Sequence, residues 1–350
     1  EHTPALPQEG PAPIDTGVLT PSFPYRGLYP WNYGYDQRGL TNFCDINARF
    51  VAGDWAWFAR LGDWLVKNKQ NTVFWFDDVF DGTPLSTRFP ASLKRYWRER
   101  GLRRVLGMGW ASNEGRPRGG EWEALTCVDA AGKSIEEAAW RKAICPQTPQ
   151  YRTLADRNIA AVEFDAPEAV GALIGYAENT WAAHQASRCV RHADVPADVM
   201  MNRDLRHVAA GMAQRGAGGL PLGFVISTHS SAKDSPFSAG TIIDSLPKNG
   251  FVSLHIYQQD VWTKFSGVMS KIRQRNAREG SGVKAMPIAE VAFLCNYDIP
   301  LFRPSILRRR EAHFRSLPRD DLFGHLATLN TTQYLYWLKS YQLMRWQWSA

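Results

Sequence analysis

Short apolar runs alternate with longer amphipathic stretches along most of the chain, and the two kinds of segment follow different periods. "DWAWFARLGDWLVKNKQ" (54–70) spaces Trp57, Leu61, Trp64 and Leu65 three or four residues apart or side by side, which is one face of a helix. "NTVFWFDD" (71–78) gathers β-branched and aromatic residues in a short run, which is a strand pattern. Strand-like runs recur at 23–31 ("FPYRGLYPW"), 102–110 ("LRRVLGMGW"), 170–179 ("VGALIGYAEN"), 220–228 ("LPLGFVIST"), 250–260 ("GFVSLHIYQQD"), 282–295 ("GVKAMPIAEVAFLC") and 321–330 ("DLFGHLATLN"). Helical patterns fall between them: "LKRYWRERG" (93–101), closed by glycine, then 150–165, 198–214, 262–279 and 304–316. "TTQYLYWLKSYQLMRW" (331–346) closes the chain as an aromatic-rich helix. A stretch rich in Gly, Pro and charge separates the third and fourth runs, from about 111 to 150.

Eight strand-like runs alternating with helices call for parallel βαβ units, and eight is the number that closes a barrel. Open doubly wound sheets normally use fewer strands, and no G-x-G-x-x-G follows the first run, which removes the usual dinucleotide fingerprint. The pattern predicts a (β/α)8 TIM barrel over residues 25–350. A Pro-rich arm or linker, opening with "EHTPALPQEGPAPIDTG", precedes it over 1–24. No internal repeat or second domain is evident.

Active sites of such barrels lie at the C-terminal ends of the strands. That rule turns the strand pattern into a set of candidate side chains. The first run ends with Tyr29, Trp31 and Asn32, the second with Asp77 and Asp78, the third with Trp110 and Asn113, and the fourth with Glu178, Asn179 and Trp181. The fifth supplies Thr228 and His229, and the sixth His255, Tyr257 and Asp260. The seventh contains Glu290 and ends with Asn296, Tyr297 and Asp298; the eighth offers His325 and Asn330. Carboxylates, amides and aromatics dominate this set. Glycoside hydrolysis needs one carboxyl as acid, another as base or nucleophile, and aromatic faces on which sugar rings stack.

Glu178 is the first choice for the acid, because apolar neighbours in "ALIGYA" would raise its pKa and hold a proton on it. Glu290, Asp298 and Asp260 compete for the second carboxylate. Glu290 interrupts the apolar "PIAEVAFL", where an unpaired charge is costly. Adjacent aspartates point opposite ways on a strand, so only one of Asp77 and Asp78 faces a pocket, and their spacing with Asp81 matches no calcium loop.

The chain carries a formal charge of +7 and a pI near 9.2, which suits an acidic partner. Fourteen tryptophans favour carbohydrate over nucleic acid, even with most of them in the core, and no basic-helix or zinc-finger pattern occurs. No apolar run reaches the length of a membrane span, so no membrane partner is expected. Oligomeric state does not follow from the sequence. The five cysteines (Cys44, Cys127, Cys145, Cys189 and Cys295) are sparse and odd in number, so at least one is free or pairs between chains. His184, Cys189 and His192 lie close together but lack a second paired half, so no metal site is assigned, and no cofactor is expected. A Pro-rich start is what a mature secreted or periplasmic protein keeps, and that is the expected location.

"FPYRGLYPWNY" followed by "WLVKNKQNTVFWFDD" resembles the barrel exo-glycosidases of the β-N-acetylhexosaminidase and α-glucuronidase types. The likeness spans about the first 110 residues and, loosely, the strand order afterwards. It implies that the first-strand arginine, Arg26, grips the terminal sugar. The hexosaminidase barrels end their fourth strand with an Asp-Glu pair; here the place reads "YAEN", with Ala177 before Glu178. That departure argues against a substrate-assisted mechanism and leaves the α-glucuronidase-like role of a lone glutamate acid. The expected function is therefore a glycoside hydrolase acting on a polysaccharide or oligosaccharide, with uronic-acid chains favoured by the basic balance and by Arg26. Two alternatives stand beside it: a polysaccharide lyase using His255 and Tyr257, and a barrel that binds carbohydrate without cleaving it.

Overall fold

The computed structural model describes residues 23–30, 52–77, 89–109, 124–138, 141–142, 147–175, 189–191, 197–226, 239–256, 261–290 and 315–329, with single residues at 21, 49, 145, 195 and 312. In chain order they form β1 (Tyr25–Pro30), α1 (Trp55–Lys67), β2 (Thr72–Asp77), α2 (Ala91–Glu99), β3 (Arg103–Gly109) and a two-stranded hairpin, β4 (Glu136–Ala138) with β5 (Arg141–Lys142). There follow α3 (Pro149–Ala161), β6 (Ala169–Gly175), α4 (Ala197–Gln214), β7 (Leu222–Ile226), α5 (Ala239–Ser245), β8 (Phe251–Ile256), α6 (Val261–Glu279), β9 (Lys284–Glu290) and β10 (Gly324–Leu329). Eight of the strands close into a parallel barrel in the order β1-β10-β9-β8-β7-β6-β3-β2. The chain is a (β/α)8 barrel, and each strand-like run of the sequence overlaps one barrel strand. The helices expected at 331–346 and over most of 304–316 lie outside the described residues. Among the described residues, no helix is long and apolar enough to cross a membrane.

Closure buries both faces of every strand, and the side chains divide by alternation. Phe74, Val105, Leu173, Val225, Met286, Ile288 and Leu326 fill the barrel interior. Their neighbours Val73, Leu106, Ala172, Phe224, Val252, Ala285 and Ala327 belong to the larger core cluster shared with the helices. At the N-terminal end of the interior, Phe251 stacks on Phe323 with ring centroids 4.2 Å apart and planes 1° apart, and Tyr25 tilts against Phe323 at 5.0 Å. Two glycines make room for this stack. A Cβ on Gly171 would sit 3.0 Å from Phe323 and 3.1 Å from Phe251, and one on Gly223 would collide with the Phe251 ring.

The helical layer departs from the sequence expectation in one respect. The fully buried face of α1 is Phe58, Gly62 and Leu65, with Trp57, Leu61 and Trp64 packed along its edge. Gly62 shifts the seam, because Trp97 of α2 lies where its Cβ would be, at 2.7 Å, and donates its indole N–H to the Phe58 carbonyl at 3.1 Å. The short α5 has too few residues for the helical period to stand out in the sequence.

The N-terminal end of the barrel is tied by buried charge. Arg104, at the start of β3, pairs with Glu168 at 2.8 Å and with Glu163 at 3.1 Å. Lys94 of α2 reaches Glu163 at 2.6 Å, and Arg98 lies 3.6 Å from Glu168. Burial pushes the Glu163 carboxyl up, but the hydrogen bonds from Lys94 and Arg104 outweigh it and hold the group below the usual glutamate range.

This packing sets two expectations. Gly223→Ala should lower unfolding stability by about 1–3 kcal/mol, as overpacking a filled core does. A denaturation midpoint equal to that of the wild type would mean that the aromatic stack yields freely. Because the folded pKa of Glu163 is depressed, its stabilisation is present above its unfolded value and lost as pH falls through its folded one. Glu163→Gln should therefore melt below the wild type at neutral pH, and the gap should begin to narrow as pH falls below the ordinary glutamate value of 4.5 and close only below the lower folded pKa. A constant gap from neutral to strongly acid pH would overturn that assignment.

Candidate active site and a buried cysteine cluster

The register decides which strand-end positions look inward. On β9 the interior set Met286 and Ile288 continues to position 290, the last residue of the strand. On β8 the interior residue Phe251 and the fully buried Ser253, whose hydroxyl donates to the Met286 carbonyl at 2.9 Å, lead to position 255. On β10 Leu326 leads to position 328. His255 pairs in register with Ile288, and Glu290 with Thr328. Positions 255, 290 and 328 thus share the parity of the interior residues on three adjacent strands, with 255 level with Ile288 and 290 and 328 one step further toward the C-terminal end; their side chains lie outside the described residues. Thr328 was not singled out from the sequence; its only signal there is its place in the alternation of "GHLATL".

The same rule separates the two aspartates of the second strand. Phe74 is interior and Val73 exterior, so position 77 continues the exterior set. Asp77 pairs in register with Met108, and its side chain lies outside the described residues. Glu178 follows the last residue of β6 by three positions in sequence and lies outside the described residues. Asp298, Trp31, Asn32, Asp78, Trp110, Asn179, Trp181, Tyr257, Asp260 and Tyr297 also lie outside them.

Arg26 is placed differently from what the resemblance implies. It is buried, and its guanidinium donates to the carbonyls of Lys69 at 3.0 Å, Pro24 at 3.4 Å and Phe23. These carbonyls precede β1 and β2, so the side chain runs to the N-terminal end of the barrel, opposite the strand ends where a sugar would sit. Burial pulls its pKa down to about 10, which leaves it charged at neutral pH. Gripping a terminal sugar is not a role this guanidinium fills. His325 likewise occupies the exterior set of β10, fully buried with its ring 5.3 Å from that of Phe23.

A second cluster lies in the connections that leave the C-terminal ends of the strands. Cys127 and Cys145 belong to the β3–α3 connection and Cys189 to the β6–α4 connection. All three are fully buried, and their sulfurs lie within 4.8 Å of one another. A hydrogen bond with Cys145, then burial, pushes the Cys127 thiol up. The sequence showed these cysteines as widely scattered, and nothing in their spacing joins them.

No protein-family model and no curated protein matches the chain. Among solved structures, it is similar in backbone to an alpha-amylase from Lactobacillus plantarum, with a TM-score of 0.41 and 9% identity over 90% of this chain and 74% of that one. It is also similar to a glycoside hydrolase family 44 xyloglucanase from Paenibacillus polymyxa, with a TM-score of 0.40 and 9% identity over 74% of this chain and 62% of that one. Both neighbours are glycoside hydrolases.

Proposed function

We propose that the chain is a glycoside hydrolase that cleaves a polysaccharide or oligosaccharide with two carboxylates at the C-terminal end of its barrel. The observation that carries this reading is the register position of Glu290, the last residue of β9, on the parity of Met286 and Ile288 and paired with Thr328 of β10. A glutamate at the C-terminal end of a barrel strand suits the role of a reacting carboxylate, and an idle charge after an apolar strand would be costly. Glu178, three residues beyond β6, is the proposed acid: it protonates the glycosidic oxygen as the bond breaks. Glu290 then attacks the anomeric carbon or takes a proton from the attacking water, with Asp298 and Asp260 as its rivals for that role. Carboxyl groups about 5–5.5 Å apart would give retention, and about 6.5–9.5 Å inversion. Trp31, Trp110 and Trp181 supply stacking faces, and Asn32, Asn179, Asp78, Tyr257 and Tyr297 supply polar contacts to hydroxyls. With Arg26 committed to the opposite end, the case for an acidic sugar rests on the +7 charge alone.

One observation favours a second reading. Position 255 has the parity of Phe251 and Ser253 on β8, and His255, with Tyr257 two residues on, could act as the base of a lyase that abstracts the proton beside a uronate carboxyl. The mass of the products separates the two, since hydrolysis adds one water per cleavage and elimination adds none.

Wild type, Glu178→Gln, Glu290→Gln and His255→Ala should be assayed on neutral and uronic-acid polysaccharides, with products read by mass and folding checked by circular dichroism. Hydrolytic products, with kcat/KM reduced by about 10²–10⁴-fold in each glutamine variant, are expected. Undiminished activity in Glu290→Gln would remove that residue from the chemistry. Unsaturated products that vanish in His255→Ala would replace the hydrolase by a lyase, and binding without any cleavage would leave a carbohydrate-binding barrel.

A further inference from the structure

We propose that Cys127, Cys145 and Cys189 bind a zinc ion that staples the β3–α3 connection to the β6–α4 connection. Three thiols from two separate connections converge on one point, with all sulfurs within 4.8 Å of one another. Thiolates at about 2.3 Å from a tetrahedral zinc stand about 3.8 Å apart, which falls inside that limit. The backbone beside each cysteine is bonded to another part of the cluster. Cys145 N–H donates to the Leu125 carbonyl at 2.7 Å, Ile135 N–H to the Cys127 carbonyl at 2.8 Å, and Val190 N–H to the Val128 carbonyl at 3.0 Å. Arg191 closes the same seam from its side chain, donating to the Ala124 carbonyl at 3.0 Å. The three sulfurs are therefore held in place by the bonds of their neighbours.

Two plainer accounts explain less. A single buried cysteine packs as a small hydrophobe, but apolar packing gives no reason for three to share one spot. One disulfide would consume two of the sulfurs and strand the third. Three soft ligands around one point are a zinc donor set, and binding exchanges three buried thiol protons for the ion. The fourth corner falls to water or to a donor outside the described residues; His192, three positions after Cys189, is the nearest imidazole in sequence. Under the hydrolase reading, the staple would also steady the connection that carries Glu178. That consequence rests on the proposed function, whereas metal binding does not.

Untagged protein, produced with zinc in the medium and purified without immobilised metal, should contain about one equivalent of zinc per chain by elemental analysis. A mercurial thiol reagent should release it. Cobalt exchanged into the site should give a thiolate charge-transfer band, a readout independent of any activity. Cys127→Ser and Cys189→Ser should each lose the metal, while Cys44→Ser keeps it. If the serine variants fail to fold, the wild-type zinc content and cobalt spectrum still decide. Wild-type protein with no stoichiometric metal, whether its three thiols are freely alkylated or two are joined in a disulfide, would overturn the proposal. Metal retained in full by folded Cys127→Ser and Cys189→Ser would overturn it as well.

Discussion

Eight parallel strands that close on themselves leave no edge and no solvent-facing side, and most features of this protein answer to that constraint. Each strand must present apolar groups to the interior and to the helices in strict alternation, so one register fixes both layers at once. At the N-terminal end the interior is too narrow for side chains from every strand. Gly171 and Gly223 withdraw so that Phe251 and Phe323 can stack across it. The stack and the register support each other. A slip of one residue on β9 would reverse the parity of position 290 and bring Met286 and Ile288 out among the helices. What makes Glu290 a candidate for chemistry is thus set by packing well below it.

The two ends of the barrel divide the work. At the N-terminal end Arg26 and Arg104 are buried, and each is met by acceptors: backbone carbonyls for the first, the Glu163 and Glu168 carboxylates for the second. A guanidinium taken out of water needs such partners, because an unpaired buried charge costs more than a lost hydrogen bond. These contacts tie the connections that enter β1, β2, β3 and β6. The proposed reacting groups lie at the opposite, C-terminal end. This separation of stabilising and reactive ends is usual for the architecture.

The barrel itself was legible in the sequence because a strand buried on both faces needs an uninterrupted apolar run, and eight such runs are visible. The helices at 149–161, 197–214 and 261–279 were legible for the same reason, through their period. What escaped depended on contacts remote in sequence. The seam of α1 turned by one position because Trp97 fills the notch at Gly62, which no local pattern reveals. Arg26 in "YRG" matched a sugar-gripping arginine, yet the same guanidinium has the length to reach the Lys69 carbonyl, and the carbonyls beside it claim it. The sequence yields strand-end residues as candidates for a site; which of them could face each other depends on register, which the chain order does not show. The cysteines are the extreme case, since cluster and scatter look identical along the chain.

That cluster also bears on how an open-ended barrel can shape a precise mouth. The connections after β3 and β6 are long, and ordering a long loop costs conformational entropy that a few surface hydrogen bonds scarcely offset. The β3–α3 connection already invests in local order. The Asp129 carboxylate accepts from the N–H groups of Ala131 and Lys133, at 2.9 Å each, and shapes the turn between the bridged residues Val128 and Ser134. Thr148 caps α3 where that connection ends. Local order of this kind fixes the shape of one loop but not its position against its neighbour. The sulfurs meet where the two connections touch, inside the core cluster shared with the helical layer. A link at that point sets one loop against the other and anchors both to the barrel wall, so the side chains they carry would move with the strands rather than with solvent.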